Sequence, residues 1–484
     1  MNWGKIASVV LRKGFSASGQ LHKGSKPPRP LPKAGFDYIA KPTGKCFTVG
    51  FGKTEILPDD LDRKKYYIAG YNSGNPAVGV LDIPCAHAVW VDDNSGRGGV
   101  VFVSVDCVGM LNKDVERVRE SLRPFMKETG CRAVNVSATH DHAGIDTMGI
   151  WGPLPKPVSG RDKYYMEIVF AGIRSAVRKA YSDRRDGDLF YGTTEVPDMQ
   201  EDIRTPVVYS KTLTRFRFVP ADGTREVYIL NFASHSESLQ SSNSLVSADF
   251  PCYMRRRIFE KTGAETAYFV GAIGGMISME LLDDDRPTST RMIGEKLADY
   301  VLSIKKERKL KPNLSFVCQE FYFDADNTVL MLAAFAHLLE ADRYASREAS
   351  LKYMLHSEMT YIELDDVKML LLPCEIFPEL VFGGFLAADE SATGKGAEVN
   401  PVPLSEICGD EKLLIFGLTN DEVGYVVPFN DFLLDKDVPY LERAVDRFGR
   451  RHYEETNGLG PNTGAKIADV FTEIYNTALA AKNK

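Results

Sequence analysis

The segment His140-Asp141-His142 holds the sharpest chemical pattern in the chain. On an extended backbone, residues i and i+2 point to the same side, so both imidazoles could face one ion or one substrate. Neutral imidazole is the commonest protein ligand for zinc. A site with two His and one carboxylate leaves a position open for water, which zinc makes acidic while it polarises a carbonyl. On spacing alone, a hydrogen-bonded surface pair is the alternative. His235 and Glu375 are the other residues of the right type at the right kind of place: each follows an apolar run, EVYILNFA (226–233) and VKMLLLP (367–373). A lone His there is more often structural. A carboxylate after Pro373 needs a cation, hydrogen-bond donors or water, or else it serves the N-terminus of a helix beginning in IFPELVF. The other histidines, at 22, 87, 337, 356 and 452, have no metal-type spacing. GxSxG, GxxxxGK[ST] and HExxH are all missing, so the serine elbow, the phosphate loop and the zincin helix are excluded.

These groups need elements to position them. Strand-like runs are GVVFVSVD (99–106), AVNVSAT (133–139), EVYILNFA, AYFVG (267–271), VKMLLLP and KLLIFGLT (412–419). Helix-like stretches are Lys113–Thr129, Lys163–Ala180, Pro251–Thr262, Thr290–Lys306 and Pro461–Ala481. Such interleaving predicts a layered α/β fold of β-sheets flanked by helices, with buried strands reading as continuous apolar runs. Five of the runs end in polar groups: Asp106, His140-Asp141-His142, His235-Ser236-Glu237, Cys374-Glu375 and Asn420-Asp421-Glu422. Ligands bind where loops leave the carboxyl ends of strands, so one shared site at the strand ends is expected. Asp106, Asp146 and Asp421 would orient its histidines or act as plain turn and cap carboxylates.

Composition bounds the class. The chain has 484 residues, 44% of them hydrophobic and 26% charged, which fits a folded protein with a large core rather than disorder, collagen or coiled coil. Its net charge of −7 hides an asymmetry: residues 1–45 carry +8, which leaves −15 for the rest. The acidic body argues against nucleic acid as a partner. Eight scattered cysteines without a CxxC pair read as reduced core thiols, and a cytoplasmic location is the default. MNWGKIASVVLRKGF could lie on an anionic surface as a short basic helix, giving peripheral membrane contact, or could be a disordered tail. SKPPRPLPKAGF reads as an extended linker, so organised structure is expected from about Cys46. The organisation is then a basic, Pro-rich extension (1–45) and one catalytic-sized domain (46–484).

Several motifs in order resemble the neutral/alkaline, non-lysosomal ceramidase family. VGFGKTEILP resembles its opening GxGxxDITP strand, and SATHDHAG (137–144) its SATHTHSG signature. NFASHSESLQSSNSLVSADFPCY (231–253) resembles the segment in which a strand-terminal His precedes Asn-x-Leu-Val-Ser-x-Asp. LPCEIFPEL (372–380) resembles the PGE segment, and GLTNDEVGYVVP (417–428) the segment with SNxYxxY. The resemblance implies a ceramidase-type catalytic fold, one zinc ion per chain, and hydrolysis of the amide of ceramide, a lipid amide, to sphingosine and a fatty acid. Carried over by position, it implies His140, His235 and Glu375 as zinc ligands. Glu422 stands where the family has its fourth ligand, a tyrosine. Tyr425 matches the following tyrosine, as a transition-state contact, and His142 the second His of the signature, assisting catalysis. His142 or Asp141 would move protons.

The chain departs from the family pattern in three places. Glu422 replaces a tyrosine. The family's GDVSP-like segment, with its catalytic serine, corresponds to Gly271–Ser278, where an ungapped match puts Ile277 at the serine. The chain is expected to be a catalytic domain alone, without the family's C-terminal immunoglobulin-like domain. The expected function is therefore a zinc-dependent amidohydrolase acting on an N-acyl amide. An ester, lactone or small-amide hydrolase on the same scaffold is one alternative, and a non-catalytic metal-binding module is another. The sequence does not indicate an oligomeric state.

Overall fold

The computed structural model describes residues 26–153 and 158–483. Two stacked β-sheets form its centre, and helices cover both outer faces. The first sheet contains β1 (Phe47–Glu55), β2 (Cys85–Asp92), β3 (Val100–Val105), β4 (Ala133–Ala138), β5 (Arg185–Glu195), β6 (Thr212–Pro220), β7 (Val227–Phe232), β8 (Glu265–Val270) and β9 (Glu307–Lys309). Its order is β8-β7-β6-β5-β1-β2-β3-β4, with β9 also against β5. The second sheet contains β10 (Leu314–Asp324), β11 (Arg343–Ala345), β12 (Tyr353–Leu364), β13 (Val367–Leu371) and β14 (Leu414–Phe416), in the order β10-β12-β13-β14 with β11 against β12. Both sheets are mixed: β3/β4, β7/β8 and β13/β14 are parallel, and β1/β2 and β10/β12 antiparallel.

Side-chain alternation explains the layering. Ala88, Trp90, Val101 and Val103 share a core with Val115 and Val118 of helix α1 (Asn112–Thr129) and Phe170 and Ile173 of α2 (Lys163–Ser182). The residues between them in sequence, Val89, Val91, Val100 and Phe102, join Phe269, Ile362, Met369 and Phe416 between the sheets. Helices α3 (Asp249–Thr262) and α4 (Arg286–Ser303) complete the first outer layer through Ile258, Ile293 and Leu297. The last helix, α5 (Thr463–Lys482), closes the other side with Phe471 and Ile474 against Tyr361 and Ile415. The result is an α/β/β/α sandwich, the layered architecture expected from the sequence. Helix α2 starts where Asp162 accepts the N–H groups of Tyr164 and Tyr165, and α1 ends at Gly130 in the left-handed region.

Four long strands, β5, β6, β10 and β12, lie where the sequence shows no continuous apolar run. In β12 the reason is visible: Ser357 and Glu358 are buried polar residues satisfied from outside their sheet. Arg119 binds Glu358 through two contacts of 2.8 Å, and Ser357 Oγ donates to Asp421 Oδ2 at 2.8 Å.

Regular structure begins at Phe47, close to the expected point, but the described part of the preceding segment is strapped to the second sheet rather than free. Phe36 is buried, with its ring 6.2 Å from that of Tyr361. Asp37 is bridged by Arg97 at 2.9 Å and Arg132 at 2.7 Å, and Lys26 pairs with Asp342. The basic segment at 1–15 lies outside the described residues. Among the described residues, no helix is long and apolar enough to cross a membrane. All eight cysteines are unpaired.

Candidate metal centre

The carboxyl ends of β4, β7, β13 and β14 meet at one place and are tied together by backbone hydrogen bonds. Asn420 N–H donates to Val136 O at 2.7 Å, His142 N–H to Ser236 O at 2.9 Å, His235 N–H to Ile277 O at 2.9 Å, and Gly274 N–H to Ile376 O at 2.9 Å. His140 sits at φ 55°, an uncommon conformation for a bulky residue, and is held there by this stitching.

His140 Nδ1 lies 2.8 Å from Val108 O, and His235 Nδ1 lies 2.9 Å from Ile277 O. A carbonyl can only accept, so Nδ1 carries the hydrogen in both rings and each Nε2 presents its lone pair. Glu375 Oε2 faces those nitrogens, 3.2 Å from His140 and 3.1 Å from His235. Three electron-pair donors converging at such distances require a proton or a metal ion among them, and this donor set suits zinc. The proton-only solution is an imidazolium at His235. Burial works to lower its pKa, but the hydrogen bond and charge of Glu375 hold it up at about 9. Glu375, although buried, is held well below the usual carboxylate range by His140 and His235.

His142 is the third imidazole of the cluster: it, His140 and His235 each offer a nitrogen within 4.8 Å of the others. Neither of its own ring nitrogens has a hydrogen-bond partner, and burial lowers its pKa to about 3. The Tyr425 hydroxyl lies 3.4 Å from His235 Nε2, and burial together with Glu375 keeps the phenol protonated. Glu422 Oε1 accepts Gly424 N–H at 2.8 Å, while Oε2 has no partner. Burial and the Glu375 charge push its carboxyl well above the normal range.

His140, His142, Glu375, Glu422 and Tyr425 all line one cavity, whose other walls include Leu111, Met148, Ile150, Trp151 and Leu339. Apolar walls with a few convergent polar groups are the usual form of a small-molecule site. Asp141 does not line it. Its Oδ1 accepts Ala143 N–H at 2.9 Å, and burial with the neighbouring Asp249 keeps its carboxyl well above the normal range. Asp106, Asp146 and Asp421 touch no histidine of the centre. Asp106 binds Arg255 and Cys85 N–H, and Asp146 accepts the N–H groups of Met148, Gly149 and Trp151. Asp421 holds Asn112 N–H and Ser357. The residues that orient the ligands are backbone carbonyls, which sequence types cannot reveal. Glu237, the last residue of the strand-end cluster that begins at His235, and Tyr71, far from it in the chain, flank His142.

Residues 47–278 match the profile described as neutral/alkaline non-lysosomal ceramidase, N-terminal. No curated protein sequence matches the chain significantly. Among solved structures, the fold is similar to that of neutral ceramidase from Pseudomonas aeruginosa, with a TM-score of 0.66 at 18% identity over 90% of this chain and 74% of that one. It is likewise similar to a structure described as ceramidase complexed with C2, with a TM-score of 0.67 at 16% identity over 90% of this chain and 76% of that one. At such identities these two likenesses are of fold.

Proposed function

We propose, from the premise that the chain belongs to the neutral/alkaline, non-lysosomal ceramidase family through residues 47–278, that it is a zinc-dependent amidase cleaving the N-acyl amide of ceramide-like lipids. Membership makes it a hydrolase acting on amide bonds. The observation that carries the finer reading is the meeting of His140 Nε2 and His235 Nε2 with Glu375 Oε2, at 3.2 and 3.1 Å, beside an apolar cavity. A zinc ion held by His140, His235 and Glu375, with Glu422 as the fourth ligand, would supply a Lewis acid and a water made acidic enough to act near neutral pH.

The chain's own residues do the rest. Val108 O and Ile277 O hold the two imidazoles in the tautomer that presents Nε2. Tyr425 keeps its phenolic proton and donates it as a hydrogen bond to the oxygen that becomes negative as the carbonyl is attacked. His142, neutral at working pH and lining the cavity, accepts a proton and returns it to the departing amine nitrogen. Leu111, Met148 and Trp151 take the hydrocarbon and exclude water around the reacting bond. That a similar structure is described as ceramidase complexed with C2 supports a ligand of that class. The test is a panel of fluorescent short-chain ceramide, simple N-acyl amino compounds and lactones, each with and without a zinc chelator. Ceramide cleavage that chelation stops and zinc restores is expected; turnover of none of the panel by zinc-loaded protein overturns the reading.

A further inference from the structure

Glu237 is a buried carboxylate that does not line the cavity, and its partners are few. Its Oε1 accepts the hydroxyl of Ser278, and its Oε2 accepts the hydroxyl of Tyr71 at 2.6 Å. The same Oε2 lies 3.4 Å from His142 Nδ1. The His142 ring is confined from several sides. Tyr71 meets it edge-on with centroids 5.3 Å apart, and His140 does so at 4.6 Å. Gly70, at φ +101°, leaves bare the place where a Cβ would sit 2.4 Å from His142 Cγ. A glycine is required there both by the backbone angle and by the ring packed against it.

We infer that Glu237 is a positioning residue, whose carboxylate takes the Nδ1–H of His142 in the working enzyme so that Nε2 is the nitrogen that exchanges a proton with the substrate. The inference rests on the proton-transfer role proposed for His142. A separation of 3.4 Å is longer than a formed hydrogen bond, and catalytic contacts of this kind tighten when substrate fills the site. Ser278 donates to Oε1 and Tyr71 to Oε2, the oxygen that faces His142, and the two together fix the orientation of the carboxylate. A carboxylate oxygen already taking a hydroxyl from Tyr71 stands behind the imidazole as an acceptor, and so selects the tautomer with its hydrogen on Nδ1. The proton taken at Nε2 leaves again on the amine. Ser278, which does not reach the cavity, thereby acts as a donor to Glu237.

The test is a double-mutant cycle on the zinc-loaded full chain, with Glu237→Gln and His142→Ala singly and together, read on fluorescent short-chain ceramide. The expected result is a fall of about 10²-fold in kcat for Glu237→Gln, with KM changed less than about twofold. Zinc content stays unchanged, Glu237→Asp recovers part of the rate, and Glu237→Gln causes no further loss once His142 is Ala. The same fold-loss on both backgrounds overturns the inference. A second readout needs no turnover: ¹⁵N-histidine NMR of the wild-type protein should show His142 carrying its hydrogen on Nδ1, and a wild-type Nε2–H tautomer overturns the inference. Wild-type protein that cleaves no amide would defeat the amidase reading, while the tautomer still decides the role of Glu237.

Discussion

His235 and Glu375 are 140 positions apart in the chain and meet at 3.1 Å, Nε2 to Oε2. One follows a strand of the first sheet and the other a strand of the second, so the centre exists only when the two sheets dock. A metal bound there stabilises the docked state over the unfolded chain. Purified protein is expected to hold about one equivalent of zinc, and His140→Ala/His235→Ala to hold none. Elemental analysis checks the content. A chelator should lower the melting temperature of the wild type and leave that of the double variant unmoved.

The Tyr425 hydroxyl lies 3.4 Å from His235 Nε2, and its deprotonation is opposed by burial and by Glu375. Tyr425→Phe removes one donor and little volume. It should lower kcat about 10²-fold, as the loss of one oxyanion donor does elsewhere, and leave zinc content intact. Steady-state kinetics beside metal analysis would show the split; a loss of zinc in this variant would assign the tyrosine to the metal instead.

Glu422 offers one unpartnered oxygen in a buried setting that disfavours its charge. A cation is what would make ionisation there favourable. With Glu422→Gln, affinity for zinc should fall about 10- to 100-fold in competition with a coloured chelator. An unchanged affinity would remove Glu422 from the ligand set.

The N-terminal segment divides into two parts that should behave differently. Deleting residues 1–45 removes Phe36 from the second sheet's core and Asp37 from Arg97 and Arg132. Burying a Phe and bridging two Arg side chains stabilise by several kcal/mol in rough terms, so this deletion should lower the melting temperature clearly. Deleting residues 1–25 removes four Lys/Arg and leaves those contacts in place. It should weaken binding to anionic vesicles in a sedimentation assay while the melting temperature and the hydrolysis of a soluble substrate stay as they were. Equal vesicle binding with and without residues 1–25 would deny that segment a membrane role.

Glu379, almost fully buried, has its carboxyl pushed up to about 8 by burial and by the nearby charge of Asp202. A folded-state pKa above the unfolded value of about 4.3 means that the fold favours the neutral acid. That contribution is complete below about pH 4 and is lost as pH rises towards 8. Glu379→Gln keeps the neutral shape at every pH. Melting curves should therefore show the wild type losing ground to Glu379→Gln between pH 5 and pH 8, and parallel curves would contradict the assignment.

The sequence by itself determined the elements buried on both faces and the residues that leave them. Val100–Val105, Ala133–Ala138 and Val227–Phe232 are legible because a strand covered on both sides is a continuous apolar run, and the change to His140 and His235 marks where the chain leaves the core. Ordered motifs then pointed to the family whose profile matches residues 47–278. Tertiary structure alone decided the rest. Strand β12 is hidden in sequence because its polar residues are satisfied by Arg119 and Asp421 from other elements. Asp106, Asp146 and Asp421 serve an arginine, a turn and a helix start rather than the histidines. Phe36 belongs to a core although it sits among prolines and lysines. Tyr71 and Glu237 are 166 positions apart and share a hydrogen bond of 2.6 Å beside His142. A side chain's type fixes what it can donate, accept or bury. Which group stands opposite is fixed only by the docking of two sheets, since no local pattern records a partner so far along the chain.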